Sequence, residues 1–378
     1  MSVIAAISLS RAPGLAFLAV GLFWGSFAAL APRIKAQIGA DDGLFGLLLL
    51  GTSIGLVSTM VLAPAFDNWQ RNRAMPLAAA GLALAFLLPG WATTPTMFFA
   101  FMILTGLASG LCDVIMNARV SDLEAQHNRP LMNANHGVFS VGYTIGALYT
   151  GFMREIEAPS PVIFGLIAVI VLMTTPAMRV RVVRVEAKDQ SAVRFPYAIV
   201  LLCGGIVLLA FMAEAAVESW SALHVERTLG GRAAEGALGP ATLGFTMAIG
   251  RFTGQSLSER FTDSFVIFWA SCLSIVGALL AATAINPPMA YLGFGTLGLG
   301  VSVIGPLGLA IVGRLVDPKI RTLAISRTAV IGFSGFFLAP AAMGMMSQEF
   351  GLRVAFAAIA VLVMGLFPLI WALRRRGA

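Results

Sequence analysis

The sequence predicts an all-α membrane protein with twelve transmembrane helices in two six-helix halves, and three observations predict it. First, 58% of its 378 residues are hydrophobic and only 11% are charged, with a mean hydropathy of +0.88. A soluble chain carries about 25% charged residues, so this one lacks the polar surface to cover itself in water. Second, its apolar residues gather into runs of about the 20 residues that cross a bilayer core as a helix. Those runs exceed the roughly 10-residue alternating segments of a membrane barrel, and a helix pairs its own backbone groups, as lipid requires. Third, the charges fall in short breaks between runs, and one break near the middle, 179–194, is denser than the others.

In chain order the expected spans are 13–32, 43–66, 74–91, 96–118, 130–153 and 159–178, then 196–224, 237–257, 264–284, 289–313, 328–347 and 354–373. A short basic lead at Arg11 runs into the first span without the short apolar core and cleavage site of a signal peptide. Two breaks carry no charge and rest on turn chemistry: Pro89-Gly90-Trp91-Ala92-Thr93-Thr94-Pro95 between spans 3 and 4, and Asn286-Pro287-Pro288 between spans 9 and 10. The dense break divides the chain into an N-terminal half, 1–178, a linker, 179–195, and a C-terminal half, 196–378.

Lys and Arg set the orientation. With the N-terminus inside, the cytoplasmic breaks hold Arg71, Arg73, Arg119, Arg129, the linker cluster Arg179, Arg181, Arg184, Lys188 and Arg194, then Arg260, Arg314, Lys319, Arg321 and the tail Arg374–Arg376. The other side holds Arg33, Lys35, Arg154, Arg227, Arg232 and Arg353. Both termini are therefore expected in the cytoplasm of a cell whose inner membrane the chain crosses many times. The net charge of +7 does not point to nucleic acid, because the cations sit in turns and not on one face interleaved with aromatics. Cys112, Cys203 and Cys272 each lie in an apolar run without metal-ligand spacing and read as small buried hydrophobes.

Two turns resemble a known loop motif, G-x-x-x-D-R-x-G-R-R. The turn after span 2 runs from Ala63 to Arg73 and keeps Asp67 and Arg71. The turn after span 8 runs from Gly250 to Arg260, with Gln255 where an acid is usual. Spans 4 and 5 carry Gly106-x-x-x-Gly110-x-x-Asp113-x-x-Met116-Asn117 and Pro130-x-Met132-Asn133-x-x-His136-Gly137-x-Phe139-Ser140-x-Gly142-x-x-x-Gly146-Ala147. Span 7 carries Glu214-x-x-x-Glu218-Ser219-Trp220-Ser221, and span 11 carries Gly332-Phe333-x-Gly335-Phe336 with Pro340 and Gly344. Together these resemble the YbjJ-like bacterial inner-membrane permeases near the fucose-permease branch of the major facilitator superfamily. The resemblance implies two six-helix halves rocking around a site at the membrane midplane. It also implies a cytoplasmic gate formed by the loop-motif residues Asp67, Arg71, Arg73, Arg251, Glu259 and Arg260.

Charged groups inside a span cost at least about 2.5–3.5 kcal/mol to insert, so they are functional candidates. On span 4, Ser109, Asp113 and Asn117 share one face. On span 5, Asn133, His136, Ser140 and Tyr143 do the same, at depths that let the two stripes meet. Two readings of Asp113 stay open. In one it binds a proton or orients substrate with His136 and Asn117; in the other, placed first because Asp113 lies below the midplane, it joins the latch of Asp67 and Arg71. Glu214 and Glu218 are four apart on span 7 with no Lys or Arg in the span. Like charges on one face repel, so the pair is expected to share protons, with Glu214 the coupling residue and Glu218 nearer the outer interface. Arg251 reads as too deep to reach Glu214 and is assigned to the gate. Trp24 and Trp220 are candidate cavity-lining residues.

No phosphate loop, metal spacing or soluble domain appears in the sequence, so no cofactor, metal or enzymatic activity is expected. An ion or solute gradient would supply the energy. The leading expectation is proton-coupled uptake of a small polar organic solute, a sugar or related metabolite, by a monomer in the bilayer. The runner-up is proton-coupled export of a metabolite or drug. A non-transporting scaffold on the same fold is the third alternative, and the intramembrane acids argue against it.

Overall fold

The computed structural model describes residues 3–180, 195–258, 260–317 and 320–375, with side chains at 60, 61, 254–258 and 322 left aside. Most of the linker at 179–195, together with Glu259, Lys319 and Arg376, therefore lies outside the described residues. The described chain is helical and contains no strand. Its first part holds α1 (Val3–Leu9), α2 (Arg11–Gln37), α3 (Asp42–Leu48), α4 (Leu50–Gln70), α5 (Ala74–Ala85), α6 (Leu87–Trp91), α7 (Pro95–His127), α8 (Met132–Glu155) and α9 (Ser160–Thr174). The second part holds α10 (Tyr197–Leu223), α11 (Ala233–Ser258), α12 (Asp263–Thr283), α13 (Pro287–Leu315), α14 (Arg321–Phe333), α15 (Gly335–Met364) and α16 (Leu366–Arg374).

Among the described residues, nine helical stretches are long and apolar enough to cross a membrane. One of them, Leu323–Arg374, has 52 residues, which at 1.5 Å per residue is roughly 78 Å, enough for two crossings. Gly351 breaks it with φ of 80°. The expected spans 130–153 and 237–257 form α8 and α11 but are too polar to fall within the nine. Both pack against other helices of the bundle, α8 against α2 and α11, and α11 against α8 and α13.

The charge-free breaks lie where cap chemistry puts them. Thr94 accepts from Met97 N at 3.3 Å ahead of Pro95, and Asn286 accepts from Met289 N at 3.0 Å ahead of two prolines; both are N-caps with proline in the first turn. Helix α7 runs nine residues past its expected end at 118, to His127, and stops at Asn128 in the left-handed region (φ 49°). Those extra residues are polar helix formers, so hydropathy marks where the lipid ends and not where the helix ends.

Hydrophobicity gives helices no reason to pack against each other in lipid, so close backbone contact does that work. A Cβ on Gly25 of α2 would lie 1.9 Å from the Tyr143 carbonyl oxygen of α8, and one on Gly146 would lie 2.1 Å from that of Leu22. In the second part, a Cβ on Gly277 of α12 would lie 2.3 Å from Leu297 N of α13. Two further seams join the first part to the second. Along α8 and α11, Gly137 meets the Phe252 ring and Gly244 meets Tyr143; along α3 and α15, Gly46 meets the Pro340 carbonyl. Helices α2, α8 and α11 meet at these seams, and α7 and α10 pack against α2 around the same central region.

Candidate functional site at the centre of the helices

Helix direction builds the centre of the site. Side chains on a helix lean toward its N-terminus, and α10 and α11 run in opposite directions, so Glu214 and Arg251 lean toward one another. Arg251 Nη2 donates to Glu214 Oε1 at 3.0 Å, and Nη1 donates to Ser140 Oγ at 2.6 Å and to the His136 carbonyl at 3.4 Å. The guanidinium also stands 5.8 Å from the Phe139 ring centre. The pair is well buried, at 10% exposure for Arg251 and 3% for Glu214. This corrects the sequence-based depth of Arg251. Counting residues along each helix ignores a long side chain leaning back up its own helix, and Arg251 leans into the centre and binds the carboxylate it was thought unable to reach.

Glu218 sits one turn beyond Glu214 and half-buried, with no hydrogen bond or ion pair to any described residue. The Tyr143 hydroxyl and Trp220 Nε1 are likewise buried without a hydrogen-bond partner among the described residues. Around them runs an aromatic chain. The Trp220 and Phe45 ring centres lie 6.0 Å apart, Phe45 and Phe98 5.8 Å, Phe98 and Phe27 6.4 Å, and Phe27 and Trp24 5.6 Å. Trp24 Nε1 donates to Ser109 Oγ at 2.9 Å, which ties α2 to α7.

The two polar stripes expected to meet do not bond to each other among the described residues. Asn117 Nδ2 donates to Asp113 Oδ1 at 3.2 Å and to the Asp113 carbonyl at 2.9 Å, inside α7. The His136 ring packs edge-on against Phe17 at 5.0 Å, while its carbonyl accepts from Ser140 and Arg251. Asn135, not Asn133, carries the described amide contacts on α8, donating to Ser10 Oγ at 2.9 Å.

The latch is also corrected. Asp67 pairs with Arg119 of α7, and Arg119 stands 3.7 Å from Asp122. Arg71 terminates α4 in the left-handed region (φ 51°) and is exposed, and Asp67 has no described ion pair with it. Asp113 has no part in these ion pairs. Arg73 and Arg260 are exposed, and Glu259 lies outside the described residues. In the second part the corresponding ion pair is between Arg314, at the end of α13, and Asp263, at the start of α12. Arg119, within α7, and Arg314, in the last turn of α13, each hold an acid on a neighbouring helix.

A second cluster, at the opposite face, was not foreseen as a unit. Asp42 is buried (4% exposed) and accepts from Lys35 Nζ at 2.9 Å, from Ser347 Oγ at 2.5 Å and from Arg227. Its backbone N donates to Gln348 Oε1 at 3.1 Å. Arg154 grips Glu226 through both terminal nitrogens, at 2.6 and 2.9 Å, and also donates to the Ala29 carbonyl at 2.7 Å. In the sequence these cations were only the minority charge on the far side. The available signal was that few charges occur there, yet Asp42, Glu155, Glu226 and Glu235 lie among them.

Comparison with known proteins agrees with this architecture. The family model described as Major Facilitator Superfamily matches residues 14–213 and again 202–378. An uncharacterised MFS-type transporter of Yersinia pestis is 29% identical over 366 residues, covering 95% of this chain and 94% of its own. Among solved structures, a bacterial homolog of the human lysosomal transporter Spinster, inward-facing and occupied, superposes with a TM-score of 0.81 at 16% identity. It covers 98% of this chain and 97% of its own. The nucleoside transporter NupG superposes with a TM-score of 0.72 at 13% identity, covering 97% and 98%. The helical architecture, the two matches in tandem and the near full-length relative lead to one conclusion: the chain belongs to the Major Facilitator Superfamily, a family of membrane transporters.

Proposed function

We propose that the chain is a secondary active transporter of the cell inner membrane that takes up a small polar organic solute together with a proton. In this reading it acts as a monomer of two six-helix halves, 1–178 and 196–378, joined by the 179–195 linker, with both termini cytoplasmic. The observation that carries the proposal is the arrangement of Arg251, Glu214 and Glu218. Arg251 pairs with Glu214 and holds Ser140 across the seam between α8 and α11, while Glu218, one turn beyond, forms no ion pair or hydrogen bond with any described residue. A bare carboxylate resists dehydration in the membrane interior. A proton on Glu218 lets the site close around its solute without burying that charge. Loss of the proton to the other side then favours reopening.

The coupling role thus moves from Glu214, which the sequence favoured, to Glu218. Glu214 becomes the group that positions Arg251. The unpartnered Tyr143 hydroxyl and Trp220 Nε1 supply a hydroxyl and an N–H for a polar solute, and Trp24 borders the same region. The basic residues of the face bearing Arg71, Arg73, Arg119 and Arg314 support a cytoplasmic placement of that face. In that orientation the face bearing Asp42, which we read as sealed because its ion pairs join the two parts, points outward and the solute leaves toward the cytoplasm.

The test is transport in proteoliposomes under an imposed pH gradient, screened over a solute library. Glu218→Gln should abolish uphill accumulation while preserving exchange of solute across the membrane. Glu214→Gln should lose both, because it releases Arg251. Accumulation by Glu218→Gln with an unaltered pH profile would remove the coupling role from this residue.

A further inference from the structure

The face sealed by Asp42 contains a cavity of about 350 Å³ whose charged lining is Arg33, Lys35, Arg154, Glu226 and Arg227. Four cations surround it against two carboxylates, Glu226 in the wall and Asp42 behind Lys35 and Arg227. The lining therefore carries an excess of two positive charges. Protein groups hold each cation in place: Arg33 donates to the Ala158 carbonyl at 2.5 Å, Lys35 to the Ala40 carbonyl at 2.9 Å, and Arg154 grips Glu226. A guanidinium has five N–H donors, and Arg33 and Arg227 are each described with one hydrogen bond.

The backbone also departs from regularity here. Residues His224–Thr228 form a π-helical turn directly after α10, a rare widening that often occurs at functional sites. The turn carries Glu226 and Arg227 as successive residues into the seam. His224 anchors it through Nε2 to the Ala281 carbonyl at 2.9 Å. Gly236 leaves the space for Glu226, since a Cβ there would lie 2.1 Å from its Oε1.

We propose that this cavity is an oxyanion site, taking a phosphate or carboxylate group, and that its occupant holds this face sealed. Guanidinium forks match the paired oxygens of such groups better than they match a spherical ion. Arg33 and Lys35 come from α2 and Arg154 from α8, whereas Arg227 comes from the turn after α10. The lining is complete only while these helices stand together. An anion that binds the sealed arrangement and not the open one shifts the population toward the sealed one. This regulation is independent of which solute the central site carries.

The test uses the full-length protein in phosphatidylcholine nanodiscs with spin labels at Ile156→Cys and Ile285→Cys, both exposed positions on this face. Inorganic phosphate replaces chloride at constant ionic strength while the distance distribution across the face is recorded. The expected result is a saturable gain of the short-distance population, with a midpoint weakened at least about tenfold in Arg33→Gln, the loss of one charged hydrogen bond. Arg33→Lys keeps the charge without the fork; it should also saturate, at a weaker midpoint, and it serves if the Gln variant does not fold. A second arm replaces the phosphate with phosphatidylglycerol in the nanodisc. A gain only in that arm assigns the site to a lipid headgroup, and a gain with phosphate assigns it to a soluble anion. No gain in either arm, or a gain unchanged in both Arg33 variants, overturns the proposal.

Discussion

The two faces of this transporter use ion pairs in opposite ways. At the sealed face they join the first part of the chain to the second: Asp42 to Arg227, Arg154 to Glu226 and Glu155 to Arg232, with a hydrogen bond from Ser347 to Asp42 beside them. At the opposite face the described ion pairs stay within one part, Asp67 with Arg119 and Asp263 with Arg314. A pair that crosses must break when the two parts move apart, whereas a pair within one part travels with it. In the alternating-access reading proposed above, the first kind would set which face is open and the second would keep each bundle rigid. On that reading the loop-motif acid Asp67, paired with Arg119, would be a brace, and the lock would lie at the other end of the molecule.

The comparison breaks most readily at Asp42. Asp42→Asn leaves Lys35 and Arg227 facing a neutral group. Removing one partner of a buried pair costs about 3–5 kcal/mol, and because Arg227 is 47% exposed the lower end applies, near 3 kcal/mol. That shifts the ratio of sealed to open molecules by roughly a hundredfold. Spin-label distances across the face should lengthen accordingly; an unmoved distribution would mean that Asp42 does not hold this face closed.

Arg154→Gln should open the same face less, by about 1–3 kcal/mol, because the Asp42 cluster remains. Reaction of a thiol at an otherwise buried seam position, read by mass spectrometry over time, measures the change. If Arg154→Gln and Asp42→Asn together add without interaction, the two clusters lock independently.

Arg119→Gln sharpens the contrast from the other side. It should lower the unfolding temperature, since a buried arginine and Asp67 lose each other, yet leave the sealed population unmoved. A population shift equal to that of Arg154→Gln would erase the distinction between brace and lock. The smallest effect belongs to Arg232→Ala. Its side chain is 72% exposed, so the pair with Glu155 contributes under about 1 kcal/mol, and distances should stay within error of the parent protein.

Sequence alone determined the solvent of this protein. With 11% charged residues in long apolar runs, lipid and helices were the only physical solution. Proline and cap residues located the charge-free breaks at Thr94 and Asn286, because cap chemistry is local. The cost of intramembrane charge likewise singled out Asp113, Glu214 and Glu218 as candidates before any contact was known, while the loop motif assigned Arg251 to the gate. Tertiary structure alone decided the partners. Arg251 met Glu214, Asp67 chose Arg119 over the nearby Arg71, and scattered far-side charges gathered into the Asp42 and Arg154–Glu226 clusters. Partner choice depends on the direction in which neighbouring helices run and on the lean of each side chain toward its own N-terminus. Those quantities belong to pairs of helices brought together by glycine contacts far apart in the chain, and no single segment contains them.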